Sequence, residues 1–188
     1  LQWSISLGSL DICTVVMTLS SSCLILSQGH LVRAKRICFY LARMKHAVIR
    51  VQTDEPDYSD LPTQEYDWER SVYGNVTKDI PSGAAKPLGQ LVTLTHYVDA
   101  NLYHCMLTGR SVTGILHLLN QCPIDWYSKK QATVETATYG SEFVAARTAI
   151  EQAIDLRGTL RYLGVPVHGK SYMFGDNESV VGSSTKFD

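Results

Sequence analysis

The order of extended and helical patterns in the second half of the chain limits its fold more than any other feature. Three strand-like runs joined by short turns, at 90–99, 111–120 and 123–131, predict an antiparallel meander. A long helical pattern then runs to about Tyr162, and a fourth strand at 170–176 and the start of another helix follow it. This order, β-β-β-α-β-α, predicts an α/β fold in which helices pack on one mixed sheet.

The long helical pattern, which begins at Thr136, carries an apolar stripe. Its members recur at the i, i+4, i+7 spacing of one helix face: Tyr139, Phe143, Ala146, Ile150 and Ile154. We expect this face to pack on the sheet. Gly164 and Pro166 then supply the usual chemistry of a helix C-terminus.

The first half of the chain separates its charges. Six basic residues and no acid lie between Gly29 and Arg50, whereas seven acids and no base lie between Asp54 and Glu69. Such separation is typical of a basic helix followed by a solvated acidic segment. Helical periodicity at 9–27 and 30–46 supports two helices here, and the alternation at 47–53 is compatible with a short strand.

These patterns divide the chain into three parts. Residues 1–53 form a helical segment, residues 54–89 an acidic linker that contains four prolines, and residues 90–188 the sheet domain.

Composition excludes several classes of protein. The 188 residues are 45% hydrophobic and 19% charged, which favours a packed core over disorder. The five cysteines form no CxxC pair, so neither a disulfide frame nor a zinc site is indicated. Residues 12–32 carry no charge but too many polar groups for a membrane span. The opening "LQWSISLG" has no basic n-region and is typical of a piece cut from a longer chain.

Three isolated acids stand where the predicted fold can bring them together. Asp99 ends the first predicted strand, Asp176 ends the fourth, and Glu142 lies near the start of the long helix. If the first and fourth strands are parallel neighbours, both aspartates lie at one edge of the sheet. Three carboxylates in one place are typical of sites for hard divalent cations. The alternative is that each aspartate forms a turn or caps a helix.

Five short motifs strengthen the metal interpretation because they arrive in a known order. They are "YVDANLY", "GRSVTG", "IDWYSKKQ", "GSEF" and "GDNESV". In this order they resemble the ribonuclease H domain of copia-type (Pseudoviridae) retrotransposon polyproteins, over about residues 90–186. The upstream stretches "LQWSISLGSLDICTVVMTLS" and "GHLVRAKRICFYLARMKHAVIRV" resemble the thumb- or connection-like end of a reverse transcriptase.

The resemblance implies a ribonuclease H-like sheet and a hydrolase. The activity would be endonucleolytic cleavage of the RNA strand of RNA–DNA hybrids during reverse transcription. Two Mg²⁺ or Mn²⁺ ions would be held by Asp99, Glu142 and Asp176, with Asp99 bridging them. The other implied partner is the remainder of the reverse transcriptase polyprotein, inside cytoplasmic virus-like particles and without a membrane.

Some positions depart from the family pattern. Asn101 replaces the second acid of the opening motif, and Gly140 replaces the first glutamate of the helix motif. The family also uses a late fourth acid or histidine, which would follow Asp188, so the sheet domain is expected to be incomplete at its C-terminal end and to lack this metal ligand. A catalytically lapsed fragment, acting as a structural or nucleic-acid-binding connection domain, is therefore the alternative function. A small α/β binding protein unrelated to retroelements is a third.

Cations outside the acidic cluster are candidates for phosphate contacts. They are Arg110, Lys129 and Lys130 in the meander, and Arg33, Arg36 and Arg43 on the second helix. Ordinary surface charge is the alternative for each of them. His117 is expected to be a core residue, and His104 is expected in a loop near Asp99.

Overall fold

The computed structural model describes residues 1–23, 25–61 and 79–185. The described helices and strands are α1 (Gln2–Ser6), a 3₁₀ turn (Leu10–Ile12), α2 (Cys13–Ser20), α3 (Gln28–Arg43), β1 (Val92–Cys105), β2 (Arg110–Leu119), β3 (Cys122–Lys130), α4 (Thr138–Tyr162), β4 (Val167–Phe174) and α5 (Glu178–Thr185). The predicted element order from 90 onward is confirmed.

The four strands form one mixed sheet in the order β3-β2-β1-β4. β1 pairs with β2, and β2 with β3, in antiparallel register. β4 returns after α4 and pairs with β1 in parallel. The fold is therefore α/β with three antiparallel strands and one parallel strand, as the sequence predicts.

Alternation along β1 separates the two faces of the sheet. Val98 and Ala100 point toward α4, where they form a core cluster with Ile115, Ala145 and Ala149. On the opposite face Trp126 packs against a second cluster, formed by the helical segment: Ile5, Ile12, Val16 and Ile37. Each half of the chain thus contributes one layer on the sheet.

The part of α4 that faces the sheet differs from the prediction. The buried residues of α4 are Ser141, Glu142, Ala145 and Ala149. Four members of the predicted stripe are exposed by 42–61%: Tyr139, Phe143, Ile150 and Ile154. The small side chains of Ala145 and Ala149 face the branched side chains of Val98 and Ile115 in one core cluster, and small side chains let a helix lie close to a sheet. The larger stripe lies to one side, where Ile150 and Ile154 line a groove beside β4 and α5.

Three further predictions about secondary structure were wrong. Residues 47–53 form no strand, and none of the four described strands pairs with them. β1 does not end at 99 but continues to Cys105, because it pairs with β2 to Asn101 and again at Cys105, beyond a register irregularity. The helix predicted at 9–27 is shorter, ending at Ser20. Among the described residues no helix has the length and apolarity that a membrane crossing needs.

The beginning of the acidic linker is attached to the sheet. Thr93 Oγ1 donates to Glu55 Oε1 at 3.2 Å, and the Tyr58 hydroxyl lies 2.9 Å from Thr95 Oγ1. Just before the linker, the Thr53 carbonyl accepts from Asn120 Nδ2 at 2.7 Å. The Tyr58 ring packs on Tyr172 with 4.5 Å between ring centroids. The remainder of the predicted linker includes 62–78, which lie outside the described residues.

Two histidines form a polar pair inside the sheet domain. His96 and His117 are 1% and 0% exposed, which places His117 in the core as expected. His117 Nε2 lies 3.1 Å from Gln152 Oε1, an acceptor, so Nε2 carries the proton. His117 Nδ1 then accepts from His96 Nδ1–H at 2.7 Å. Burial, with smaller contributions from His117 and Arg157, lowers the pKa of His96 from 6.5 to about 4.

We expect this pair to make the protein sensitive to acid. The unfolded chain takes up a proton on His96 near pH 6.5, whereas the folded chain does so only near pH 4, so folding free energy is lost as the pH falls through that interval. Urea unfolding at pH 7 and pH 5 measures the loss. It should be smaller in a His96→Gln variant, and an equal loss in both proteins would contradict this assignment.

The packing of α4 can be tested by enlarging one buried residue. Ala149 is fully buried, so Ala149→Leu should destabilise the fold by about 1–3 kcal/mol through overpacking. Ile150→Ala, one residue along and 47% exposed, should change stability by about 0.5 kcal/mol or less. Denaturant unfolding compares the two variants. A larger loss of stability in Ile150→Ala than in Ala149→Leu would support the helix face predicted from the sequence.

Candidate metal centre

The three isolated acids of the sequence meet in space. One carboxylate oxygen of each of Asp99, Glu142 and Asp176 lies within 4.8 Å of the other two. Asp99 and Asp176 are exposed, whereas Glu142 is only 6% exposed. Among the residues that the structure describes, this is the only group of three or more acid, histidine or cysteine side chains close enough to hold a metal ion.

The parallel pairing of β1 with β4 places the two aspartates together. The last paired residues are Tyr97 and Phe174. Asp99 and Asp176 each lie two residues further along, so they occupy equivalent positions just beyond the end of the pairing. The prediction that β1 and β4 are parallel neighbours is confirmed. Asp99 is not at the end of its own strand, however, but in its interior.

Glu142 reaches the same point from the second turn of α4. The Ala100 N–H donates a hydrogen bond to its carboxylate. On the same edge of β1, the Val92 N–H donates to the Pro166 carbonyl at 2.9 Å. Backbone N–H groups alternate between the two edges of a strand, and Ala100 is an even number of residues after Val92, so its N–H points to the same edge. β4 has already ended at that point. Glu142 takes the place of the missing strand partner.

Asp176 has no capping role in the turn before α5. That role belongs to Asn177, whose Oδ1 accepts the Val180 N–H at 3.1 Å. Asp99 lies within a strand, so it forms no turn either. The alternative of a turn or a helix cap therefore fails for Asp99. Asp176 makes no cap, but it lies at a bend between β4 and α5.

The electrostatics of the site disfavour three negative charges. Burial raises the pKa of Glu142 above its usual 4.5, and Asp99 and Asp176 raise it further. The hydrogen bond from Ala100 opposes this shift by favouring the ionised form. A divalent cation would relieve the repulsion, because it attracts all three charges at once. The donor set, three carboxylates, suits hard ions such as Mg²⁺, Mn²⁺ or Ca²⁺.

The aspartates form part of a cleft of about 600 Å³ between the sheet and the helical segment. Cys13 and Thr14 of the helical segment line one side, and Gly114 and Trp126 of the meander line the other. No sequence pattern indicated that the helical segment would border the acids, because these contacts join residues more than 80 positions apart.

Asn101, which departs from the family motif, has a structural role. Its Nδ2 donates to His104 Nδ1 at 3.1 Å. His104 Nε2 lies 3.0 Å from Thr18 Oγ1, which itself donates to the Thr14 carbonyl. These partners fix the proton of His104 on Nε2. His104 lies in β1 rather than in a loop, and it ties β1 to α2.

The six predicted phosphate-binding cations occupy different places. None of them lines the acidic cleft. Arg33 and Lys130, far apart in sequence, line one groove beside the β1–β2 hairpin. Arg110 begins β2, and Lys129 points away from Lys130 because strand neighbours alternate. Arg36 and Arg43 are exposed on α3.

No protein-family model, curated protein or solved structure gives a significant match to this chain.

The strain among the three carboxylates should be measurable without metal. A raised pKa means that ionised Glu142 opposes folding at neutral pH, and that stability is recovered as the pH falls through the raised value toward 4.5. We expect Glu142→Gln to be more stable than the parent at pH 7 in EDTA, with a difference that shrinks as the pH is lowered.

Thermal unfolding across pH 4.5–7.5 measures this difference. Glu151→Gln, on an exposed position of the same helix, is the matched control and should show no such pH-dependent gain. A Glu142→Gln protein that is less stable than the parent at every pH would show that the carboxylate is not under strain.

Proposed function

We propose that this chain is a ribonuclease H-type domain, joined to the end of a reverse transcriptase, that hydrolyses the RNA strand of RNA–DNA hybrids. One observation carries the proposal: Asp99, Glu142 and Asp176 have oxygens within 4.8 Å of one another, on a mixed sheet whose parallel pair ends beside them. The resemblance of the motifs to copia-type retrotransposon polyproteins gives the reaction class. The four-stranded sheet is compatible with a ribonuclease H-like fold.

The residues fit the metal ions that this reaction class requires. Asp99 and Asp176 are exposed and offer oxygens toward the open cleft. Glu142 is buried, and the interaction of its carboxylate with the Ala100 N–H favours the ionised form that a cation would bind. When bound, Mg²⁺ or Mn²⁺ would activate water and neutralise charge on the phosphate and the leaving oxygen. Without cations the three carboxylates would repel a phosphate, so the site should disfavour binding of nucleic acid until it holds metal ions.

The cleft also suits a duplex better than a small molecule. It is open, and its walls come from two layers of the fold rather than from one enclosed cavity. Discrimination of RNA from DNA would use the 2′-hydroxyl of the cut strand. The proposed setting is reverse transcription inside retrotransposon virus-like particles, with the rest of the polyprotein and the hybrid as partners.

Metal binding and cleavage test the proposal together. Asp99→Asn should weaken Mn²⁺ binding in isothermal titration by at least about tenfold, since even indirect partners of a metal ligand cost ~10–100-fold. It should also abolish cleavage of an end-labelled RNA–DNA hybrid. Asp155→Asn, an exposed aspartate on α4, is the matched control and should behave as the parent.

The outcomes separate the candidate functions. Mn²⁺ binding with hybrid binding but without cleavage would favour the lapsed connection domain. Equal heats of Mn²⁺ binding for the parent and Asp99→Asn would remove the metal centre and with it the proposed activity.

A further inference from the structure

A second depression lies on the same side of the sheet as the acidic cleft. We call it the hairpin groove. It has a volume of about 550 Å³ and lies between the helical segment and the β1–β2 hairpin. The residues that the argument uses are Thr18, His30 and Arg33 from the helical segment, and His104, Cys105 and Lys130 from the strands.

The charged side chains that line the hairpin groove are basic. Arg33 and Lys130 supply two positive charges, and His30 and His104 supply imidazoles. Among the described residues that line it there is no aspartate or glutamate. Serine and threonine hydroxyls, including Thr18, also line the groove. Apart from Cys105, the rest of the lining is apolar: Val15, Met17, Leu19, Met106 and Leu107. Cations together with hydroxyl donors are the groups that contact phosphate oxygens in nucleic-acid complexes.

The hairpin groove continues from the acidic cleft. Thr14 lines both depressions. Hydrogen bonds from Thr14 through Thr18 and His104 to Asn101 run between them. β1 extends from Asp99, in the cleft, to Cys105, in the groove. β1 has a register irregularity between Asn101 and Cys105, and its partner β2 covers the same stretch in the four residues from Gly114 to Arg110. Four residues of extended chain span about 13 Å, the length of about four base pairs of duplex.

We infer that the hairpin groove binds backbone phosphates of the same duplex whose scissile phosphate lies at the carboxylates, about four base pairs away. This inference rests on the proposed function. It assigns phosphate contact to Arg33 and Lys130 among the six candidate cations. It also makes the helical segment a direct part of the substrate surface, because one wall of the groove belongs to α2 and α3. The positive groove offsets the repulsion that the neighbouring acids exert on the duplex.

Removing the two charges tests the groove in the full chain. The Arg33→Gln/Lys130→Gln protein should bind an RNA–DNA hybrid at least about tenfold more weakly in fluorescence anisotropy, with Ca²⁺ present to prevent cleavage. The slope of log K against log salt should become less steep by about 1.8, or 0.9 for each lost contact. Mn²⁺ binding in the absence of nucleic acid should stay unchanged.

A charge-matched control and a rescue accompany it. Lys35→Gln/Lys170→Gln removes two exposed charges outside the groove and should leave the affinity within about twofold of the parent. Arg33→Lys/Lys130→Arg keeps the charges and should restore most of the binding. Rescue would show that the loss in the double glutamine variant is electrostatic and not a folding defect.

Cys105 provides a readout independent of mutation. It is half-buried in the groove, whereas Cys38 is exposed on α3 and outside it. Thr108 and then Lys130 lower the pKa of the Cys105 thiol to about 7, which makes it reactive toward iodoacetamide. Saturating hybrid should slow alkylation of Cys105 at least about fivefold, by the steric exclusion expected at a buried interface, and leave Cys38 unaffected.

The two proposals fail differently. Parent-like affinity and salt slope in the double glutamine variant, or unprotected Cys105, would overturn the hairpin groove while Mn²⁺ binding and cleavage still supported the nuclease. Groove-dependent hybrid binding without any Mn²⁺ binding would overturn the nuclease and leave the groove as a duplex-binding surface.

Discussion

The parallel pairing between β1 and β4 is the interaction on which the candidate site depends. It aligns Tyr97 with Phe174 and then stops, while β1 continues. The two aspartates beyond that point are neighbours because the register is fixed upstream of them. A slip of one residue would turn the side chains of one strand to the opposite face and separate the carboxylates. The chemistry of the site is therefore set by backbone hydrogen bonds several residues away from it.

Because β4 ends at Phe174, a backbone N–H of β1 lacks a strand partner, and Glu142 accepts it instead. Beyond Phe174 the edge of β1 has a backbone N–H with no strand to accept it, and a buried unpaired N–H is costly. The Glu142 carboxylate accepts from Ala100 and is thereby brought near two other negative charges. The end of β4 thus places Glu142 beside the two aspartates, where burial and their charges raise its pKa. Cation binding would relieve a repulsion that the fold itself imposes.

Much of the fold was predictable because it is written in local patterns. Alternating runs, turn residues and a helical repeat gave the element order. Two isolated aspartates at predicted strand ends and one glutamate near the start of the long helix gave the three candidate ligands. Features that depend on contacts across the chain were not predictable. The sheet-facing side of α4 is marked by Ala145 and Ala149, and its larger apolar residues are exposed. Likewise, no local signal joins Arg33 to Lys130, or Thr18 to His104.

The two alanines of α4 have a consequence beyond packing. They set how near the helix axis lies to β1, and Glu142 reaches Ala100 from the turn immediately before Ala145. A bulkier residue at either position would lift that turn and draw the carboxylate away from its neighbours. The packing of α4 on β1 and the relative positions of the three carboxylates therefore depend on each other. A substitution that fills this part of the core with a larger side chain would therefore also move a carboxylate of the proposed metal site.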